Sequence, residues 1–334
     1  MRPLTRLLDR WRDRGVLPSG ADEATPVVRS RRRRIWRRVL LTILAILLLY
    51  YPVGMLLVHR IDDDPGFTPG DVEAGQSRAV ALAAALVLRE IDDHRWTAND
   101  PFFLPPAALD NMPNFQQGIV AALSRFAIEM VDHIGRSRGS SQADPDLDSA
   151  RGLLNYSGTV WVFDLSVSWL PTASSVRQYR AAVRHLEDYN ARLARGEAEF
   201  ARRADNLLMT LDRVTADLGS ASAVISSHIA QEAGSLFDFR ADDIFYFTKG
   251  RLYAYYLLMR ELRQDFAGVI AEKELDSVWQ NSLDSLLAAA ELDPLVVVNA
   301  GPDAWVRPNH LAAQGFYLLR ARTQLKEITS ILLN

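Results

Sequence analysis

No cysteine occurs anywhere in the 334 residues. Disulfides, thiolate nucleophiles and cysteine-ligated metals are thereby excluded. Lysine is almost as scarce: only Lys249, Lys273 and Lys326 occur, so arginine carries nearly all the positive charge. The six histidines (His59, His94, His133, His185, His228 and His310) are scattered, and no two sit four apart with a glutamate between them, so the zinc-protease motif is missing. A glycine-rich phosphate loop and a serine in a nucleophile elbow are also missing. No cofactor is expected from the motifs. Carboxylates are abundant, so pairs of them single out nothing.

Charge is distributed unevenly. Residues 1–38 hold 12 arginines against 4 acidic residues, a net of +8, whereas residues 59–334 hold 26 basic against 37 acidic residues, a net of −11. An acidic main body argues against nucleic acid as a partner, because phosphate binding needs a basic surface.

Between these regions lies a stretch with no charge at all, Val39 to Val58. Its twenty residues would span about 30 Å as a helix, the thickness of a bilayer's hydrocarbon core. Seven arginines crowd residues 29–38, and Asp62, Asp63 and Asp64 follow on the other side. Positive charge stays in the cytoplasm. The pattern therefore predicts a cytoplasmic basic tail (1–38), a transmembrane helix (39–58), a spacer (59–73) and a periplasmic domain (74–334). A cleaved signal sequence is the rival reading. Signal cores are shorter and end in a small-x-small site, and the exit MLLVHRID lacks one. Leu4, Leu7, Leu8 and Trp11 share one face of a short basic helix, which would lie on anionic lipid. A disordered basic tail is the competing reading, and Gly15–Thr25 reads as a linker.

Beyond the spacer the pattern is mainly helical. Helices are predicted over 74–93, 114–134 (capped by Asn111 or Asn114), 242–272, 274–292 and 309–333. Short strands are expected at Thr159–Leu165 and Leu295–Val298, where β-branched residues concentrate. From Val176 to Leu193, and again from Phe200 to Ile225, apolar positions step by alternating threes and fours. That 3.5-residue repeat marks helices packed side by side, and Gly196 between the runs suggests an antiparallel hairpin. The fold class is therefore a transmembrane helix followed by a helical bundle with at most short strands.

The segments LPPAALDNMPNFQQGIV (104–120), ADPDLDSA (143–150), EFARRADNLLMTLDRVTADLG (199–219) and DDIFYFTKGRLYAYYLLMREL (242–262), with Asn309-His310, resemble a family of bacterial inner-membrane proteins, the domain of unknown function 2333. The resemblance runs from the anchor onward. It implies a single-pass envelope protein of Gram-negative bacteria and implies no activity.

Few residues invite a chemical role. Asp144, Asp146 and Asp148 alternate like the first ligands of a calcium loop, but Ser149 and Asn155 stand where glycine and glutamate belong. A solvated helix cap is the competing reading. Asp205 and Asn206 are expected to form a polar network with Lys249, which sits among aromatics. His228 reads as a hydrogen-bonded core or rim histidine. A pocket lined by Trp161, Trp169, Lys249, Tyr253 and Asn309, with His310 beside it, would suit a small-molecule or cell-wall-fragment binding protein or enzyme. The leading expectation is an interaction or scaffolding module of the bacterial cell envelope, with the lipid bilayer and other envelope proteins as partners.

Overall fold

The computed structural model describes residues 26–58, 60–101, 103–105, 110–134, 143–163, 169–234, 238–301 and 304–334. The short basic helix and linker expected within residues 1–25 lie outside them. Contacts divide the chain into two compact units, Met1–Tyr50 and Tyr51–Asn334. The described part of the first is helical. It belongs to α1 (Pro26–Val58), a continuous helix that runs on past Pro52. Within Arg32–Leu57 an 18-residue window has a mean hydropathy of 2.4, and the helix is long and apolar enough to cross a membrane.

The second unit is a bundle of nine further helices among its described residues. They are α2 (Arg78–Leu88), α3 (Asn111–Glu129), α4 (Pro145–Leu154), α5 (Ser175–Ala194), α6 (Ala204–Glu232), α7 (Arg240–Asp265), α8 (Ala267–Glu272), α9 (Asp276–Ala290) and α10 (His310–Leu332). One π-helical turn continues α2 through Asp93, and another continues α3 through Ile134. Neither expected strand forms among the described residues. Only an isolated bridge pairs Asn299 with Asn309.

Helix α7 is the hub, as its aromatic content on several faces foretold. It buries Phe245, Tyr246, Tyr253 and Tyr255, and it packs against α2, α3 and α9. Its closest neighbour is α3, where two glycines let the backbones touch. A Cβ on Gly118 would stand 2.1 Å from the Phe247 carbonyl oxygen, and one on Gly250 would stand 2.0 Å from that of Phe115. The cap predicted for α3 is not made. Asp110 precedes the helix, and the Asn114 side chain instead donates to Asp243, at 2.6 Å. Helix α2 does have a cap. Ser77 Oγ accepts from Val80 N and donates to the Asp265 carboxylate, which also accepts from Arg78 N and Ala79 N at 3.0 Å. A carboxylate there satisfies orphan N–H groups and opposes the helix dipole.

The helical hairpin expected from the 3.5-residue repeats does not form. Helix α5 packs on α2 and α4, while α6 packs on α10 and, more lightly, on α3. The seam is real, since Leu207, Leu211, Val214, Leu218, Ala221 and Ile225 are all buried. Its main partner is α10, not the preceding helix.

These pairings give the bundle two ends. Helices α3, α5, α7 and α10 begin at one end, and α2, α4, α6 and α9 finish there. Contacts fix the directions: Asn114 meets Asp243, Arg263 meets Asp276, and Gly219 lies against Arg322. The chain arriving from α1 joins the bundle at this same end, hereafter the entry end.

Candidate functional site at the entry end

Immediately after α1 the chain is gripped by buried charges. Lys249, one of three lysines, has no exposed side-chain surface. A buried ammonium needs a counter-charge and acceptors, and it has both: Nζ donates to Asp63 Oδ2 at 2.6 Å and to the Leu292 carbonyl at 2.8 Å. One turn on, the Tyr253 hydroxyl donates to the Asp64 carbonyl at 2.8 Å and accepts from Arg89 Nη1 at 2.9 Å. Arg89 also donates to the Asp62 carbonyl at 3.0 Å and to Glu90 Oε1 at 2.8 Å, and its guanidinium lies 4.6 Å from the Phe67 ring centre. Two turns further along α7, Arg260 donates to the carbonyls of Pro65 (2.6 Å) and Phe67. Residues 62–67 are thus laid along α7 and held at every second residue or closer.

The anions match the cations. Glu90 is fully buried, and its second oxygen accepts from Gln116 Nε2 at 3.2 Å. Glu261 takes Arg260 and Arg78 on separate oxygens, at 2.8 and 2.7 Å. His94 stands 3.3 Å from Asp62 and 3.5 Å from Glu90. The neighbouring Glu90 carboxylate raises its pKa above the ordinary histidine value, against the effect of burial. Burial pushes the Tyr253 hydroxyl well above its usual range, so it stays a donor. A cleft of about 650 Å³ opens beside Asp62, Asp63, His94 and Arg95. With charges paired and no nucleophile beside a base, the arrangement is chemically a clasp: it holds backbone.

Of the residues singled out from sequence, Lys249 and Tyr253 meet here. The others go elsewhere, so among the described residues the expected set does not come together. Trp161 packs edge-on against Phe103 (6.0 Å) and Phe163 (5.6 Å). Trp169 is 86% exposed. Asn309 caps α10 by accepting from Ala312 N at 2.8 Å, and its amide donates to the Ala300 carbonyl at 2.6 Å. His310 Nδ1 accepts from Val298 N at 2.9 Å, and burial lowers its pKa. Both facts describe a neutral ring with its proton on Nε2. His228 is buried against Asp238, 2.9 Å away, as the sequence suggested.

Asp205 and Asn206 form no network with Lys249. They open α6 at the opposite end, where Asp205 is exposed beside Arg203 and Asn206 donates to the Ala201 carbonyl. Asp144, Asp146 and Asp148 do not converge as calcium ligands. Asp144 caps α4 through Asp146 N, Arg192 bridges Asp144 and Asp146, and Asp148 pairs with Arg151. Asp146 does approach His185 and Asp188 within metal-ligand range. Arg192, 2.5 Å away, already neutralises it.

A second cavity, about 390 Å³, lies among α3, α6 and α7. At its floor Asp217 accepts from the Tyr255 hydroxyl at 2.8 Å and faces Arg251 (3.4 Å) and Arg125 (3.7 Å). At its rim, burial and then the neighbouring Asp110 push the Asp243 carboxyl up to about 6. Sequence reasoning found neither this cavity nor the clasp. The one available signal was Lys249 itself: a lone lysine on an aromatic helix, with three aspartates waiting after the apolar run.

Residues 77–236 match the model of a family described as an uncharacterized protein conserved in bacteria, DUF2333. The match covers 160 of the 334 residues. It opens at Ser77, the cap of α2, and closes just past α6. Arg89, Glu90 and His94 of the clasp lie inside the DUF2333 region, whereas Asp62, Asp63, Lys249, Tyr253 and Arg260 lie outside it. No curated protein and no solved structure matches the chain.

Proposed function

We propose that this protein is a single-pass, membrane-anchored module of the bacterial envelope. Its helical body stands on the periplasmic side and binds or organises other envelope components. The clasp is the observation that carries this reading. Only residues 59–61 separate the end of α1 from the first residue the body holds, Asp62. Extended, that connection reaches no more than about 14 Å. A domain on a loose tether has no use for fully buried charges that bind its own linker. A module that must act at a set distance from its anchor does.

The anchor reading has its own support. From Val39 to Leu57 the helix is uncharged and none of it is buried, an arrangement that is costly in water and favourable in lipid. The arginine cluster before it favours a cytoplasmic N-terminus and so an outward body. The family description supports a bacterial protein. The enzyme and ligand-binder alternative loses its main argument, because its pocket residues are dispersed.

An alkaline phosphatase fused after Asn334 is expected to be active in cells, and the same reporter fused after Ser30 inactive. A photo-crosslinker at Arg184, on the exposed face of α5, should repeatedly capture the same envelope protein. An inactive C-terminal fusion, or crosslinks no different from those of fragment 1–70, would overturn the reading.

A further inference from the structure

Exposed apolar side chains in the described loops gather at one end of the bundle. The segment before α5 exposes Val162, Phe163 and Trp169, and the segment before α10 exposes Leu295, Trp305 and Val306. Leu295 and Trp305 are as open as in an extended peptide, at 101% each. Both segments belong to the entry end. At the far end, the described loops and tail expose one large apolar side chain, Leu333.

These segments are fastened at their bases. Thr172 N donates to the Val162 carbonyl at 2.7 Å, and Ser175 N donates to that of Val160 at 3.0 Å. Asn299 bridges to Asn309, and its amide donates to Asp238 at 2.9 Å. The apolar tips are therefore presented by ordered supports. Both supports also connect to the chain as it leaves α1. Lys249 joins Asp63 to Leu292, three residues before Leu295. Trp161 packs on Phe103, two residues from Pro105, and a Cβ on Gly54 would stand 2.3 Å from Pro105. Exposed Arg307 directly follows Val306, and exposed Arg95 directly precedes Trp96, which donates to the Gly158 carbonyl two residues before Val160.

Tryptophan and aliphatic tips flanked by arginine are the composition that settles at the boundary between headgroups and acyl chains. Resting on the anchor reading above, we infer that the entry end is a second membrane contact. The two segments insert their apolar tips into the outer face of the bilayer beside the protein's own anchor. The body thus lies against the lipid surface and does not stand off from it.

The missing cysteine makes the test clean, since one introduced cysteine takes a label alone. Full-length Trp169→Cys, Val306→Cys, Glu272→Cys (far end) and Leu47→Cys (anchor) variants would carry an environment-sensitive nitrobenzoxadiazole dye. They would be reconstituted in phosphatidylethanolamine–phosphatidylglycerol vesicles with or without nitroxide-bearing lipid. Positions 169 and 306 are expected to shift to the blue and to be quenched by nitroxide lipid several-fold more than position 272. If 47 is quenched while 169 and 306 match 272, the lipid contact is wrong and the anchor stands. If 47 is not quenched, the anchor reading fails and this inference falls with it. Blue-shifted dyes at 169 and 306 without lipid quenching would mean cover by a second copy of the chain, which also overturns it.

Discussion

The two ends of the bundle are built on different physics. At the entry end, charge is buried and apolar surface is open: Lys249, Arg89 and Glu90 are inside while Trp169 and Trp305 are outside. At the far end Glu261 and Asp265 are also buried, so the contrast lies in the apolar surface, where the described loops and tail open only Leu333. Arg195, Glu197, Arg203 and Asp205 face solvent in exposed pairs, and Phe200 and Phe266 pack together inside, 5.8 Å between ring centres. Water makes the second arrangement the cheap one. A bundle that inverts it at one end is adapted there to something other than water.

The comparison can be broken most forcefully at Arg89. Replacing it with alanine leaves Glu90, fully buried, without its main counter-charge. Breaking a buried pair in this way costs about 3–5 kcal/mol, so Arg89→Ala in detergent micelles should show a large fall in urea midpoint. A loss of under about 1 kcal/mol would mean that the clasp is ornamental. Gly250→Ala comes next. Its new Cβ meets the Phe115 carbonyl, and two backbones must part, at a cost of about 3 kcal/mol. Thermal melting of this variant beside Gly268→Ala, where the new Cβ has open space, separates close approach from helix propensity.

The ends should also answer pH with opposite sign. Asp243, at the entry end, has its carboxyl pushed up to about 6, so the folded chain holds that proton more tightly than the unfolded one. Its contribution to stability falls as pH rises from the ordinary 3.8 towards 6. Asp146, at the far end, is held below its ordinary value: burial alone would raise it, but His185 and Arg192 prevail. Its contribution is present above 3.8 and is lost as pH falls through the lowered value. Urea titrations across this range should show that Asp243→Asn flattens the loss towards pH 6, whereas Asp146→Asn removes the loss in acid. Slopes of the same sign would abolish the contrast. The smallest effect is expected from Arg195→Ala, which removes a pair more than half exposed on both sides. Its melting temperature should stay within the scatter of an ordinary surface change, about 0.5 kcal/mol.

Local signals served the reading of this sequence where the physics is local. The uncharged run, the helical class and the Asp144 cap are decided by neighbours within a few residues. The 3.5-residue repeat of α6 disclosed a seam but carried no information about its partner, since α5 and α10 both offer apolar side chains to bury. That is why the hairpin was expected and α10 was found. The clasp was hidden for a similar reason. Asp63 and Lys249 are 186 residues apart, and one lysine among tyrosines does not name its acid. Trp161 and Trp169 were read as pocket lining because large aromatics are usually covered. The exposure of Trp169 depends on a loop whose position no periodicity encodes.

The way residues 62–67 lie along α7 also has a mechanical meaning. The chain enters beside Lys249 and runs towards Arg260, so its attachments lie in a line along the helix. Under a pull along that line, bonds to Asp63, Asp64, Pro65 and Phe67 are loaded together, in shear, where a perpendicular pull would open them one after another. The joint resists a pull along α7 better than one across it.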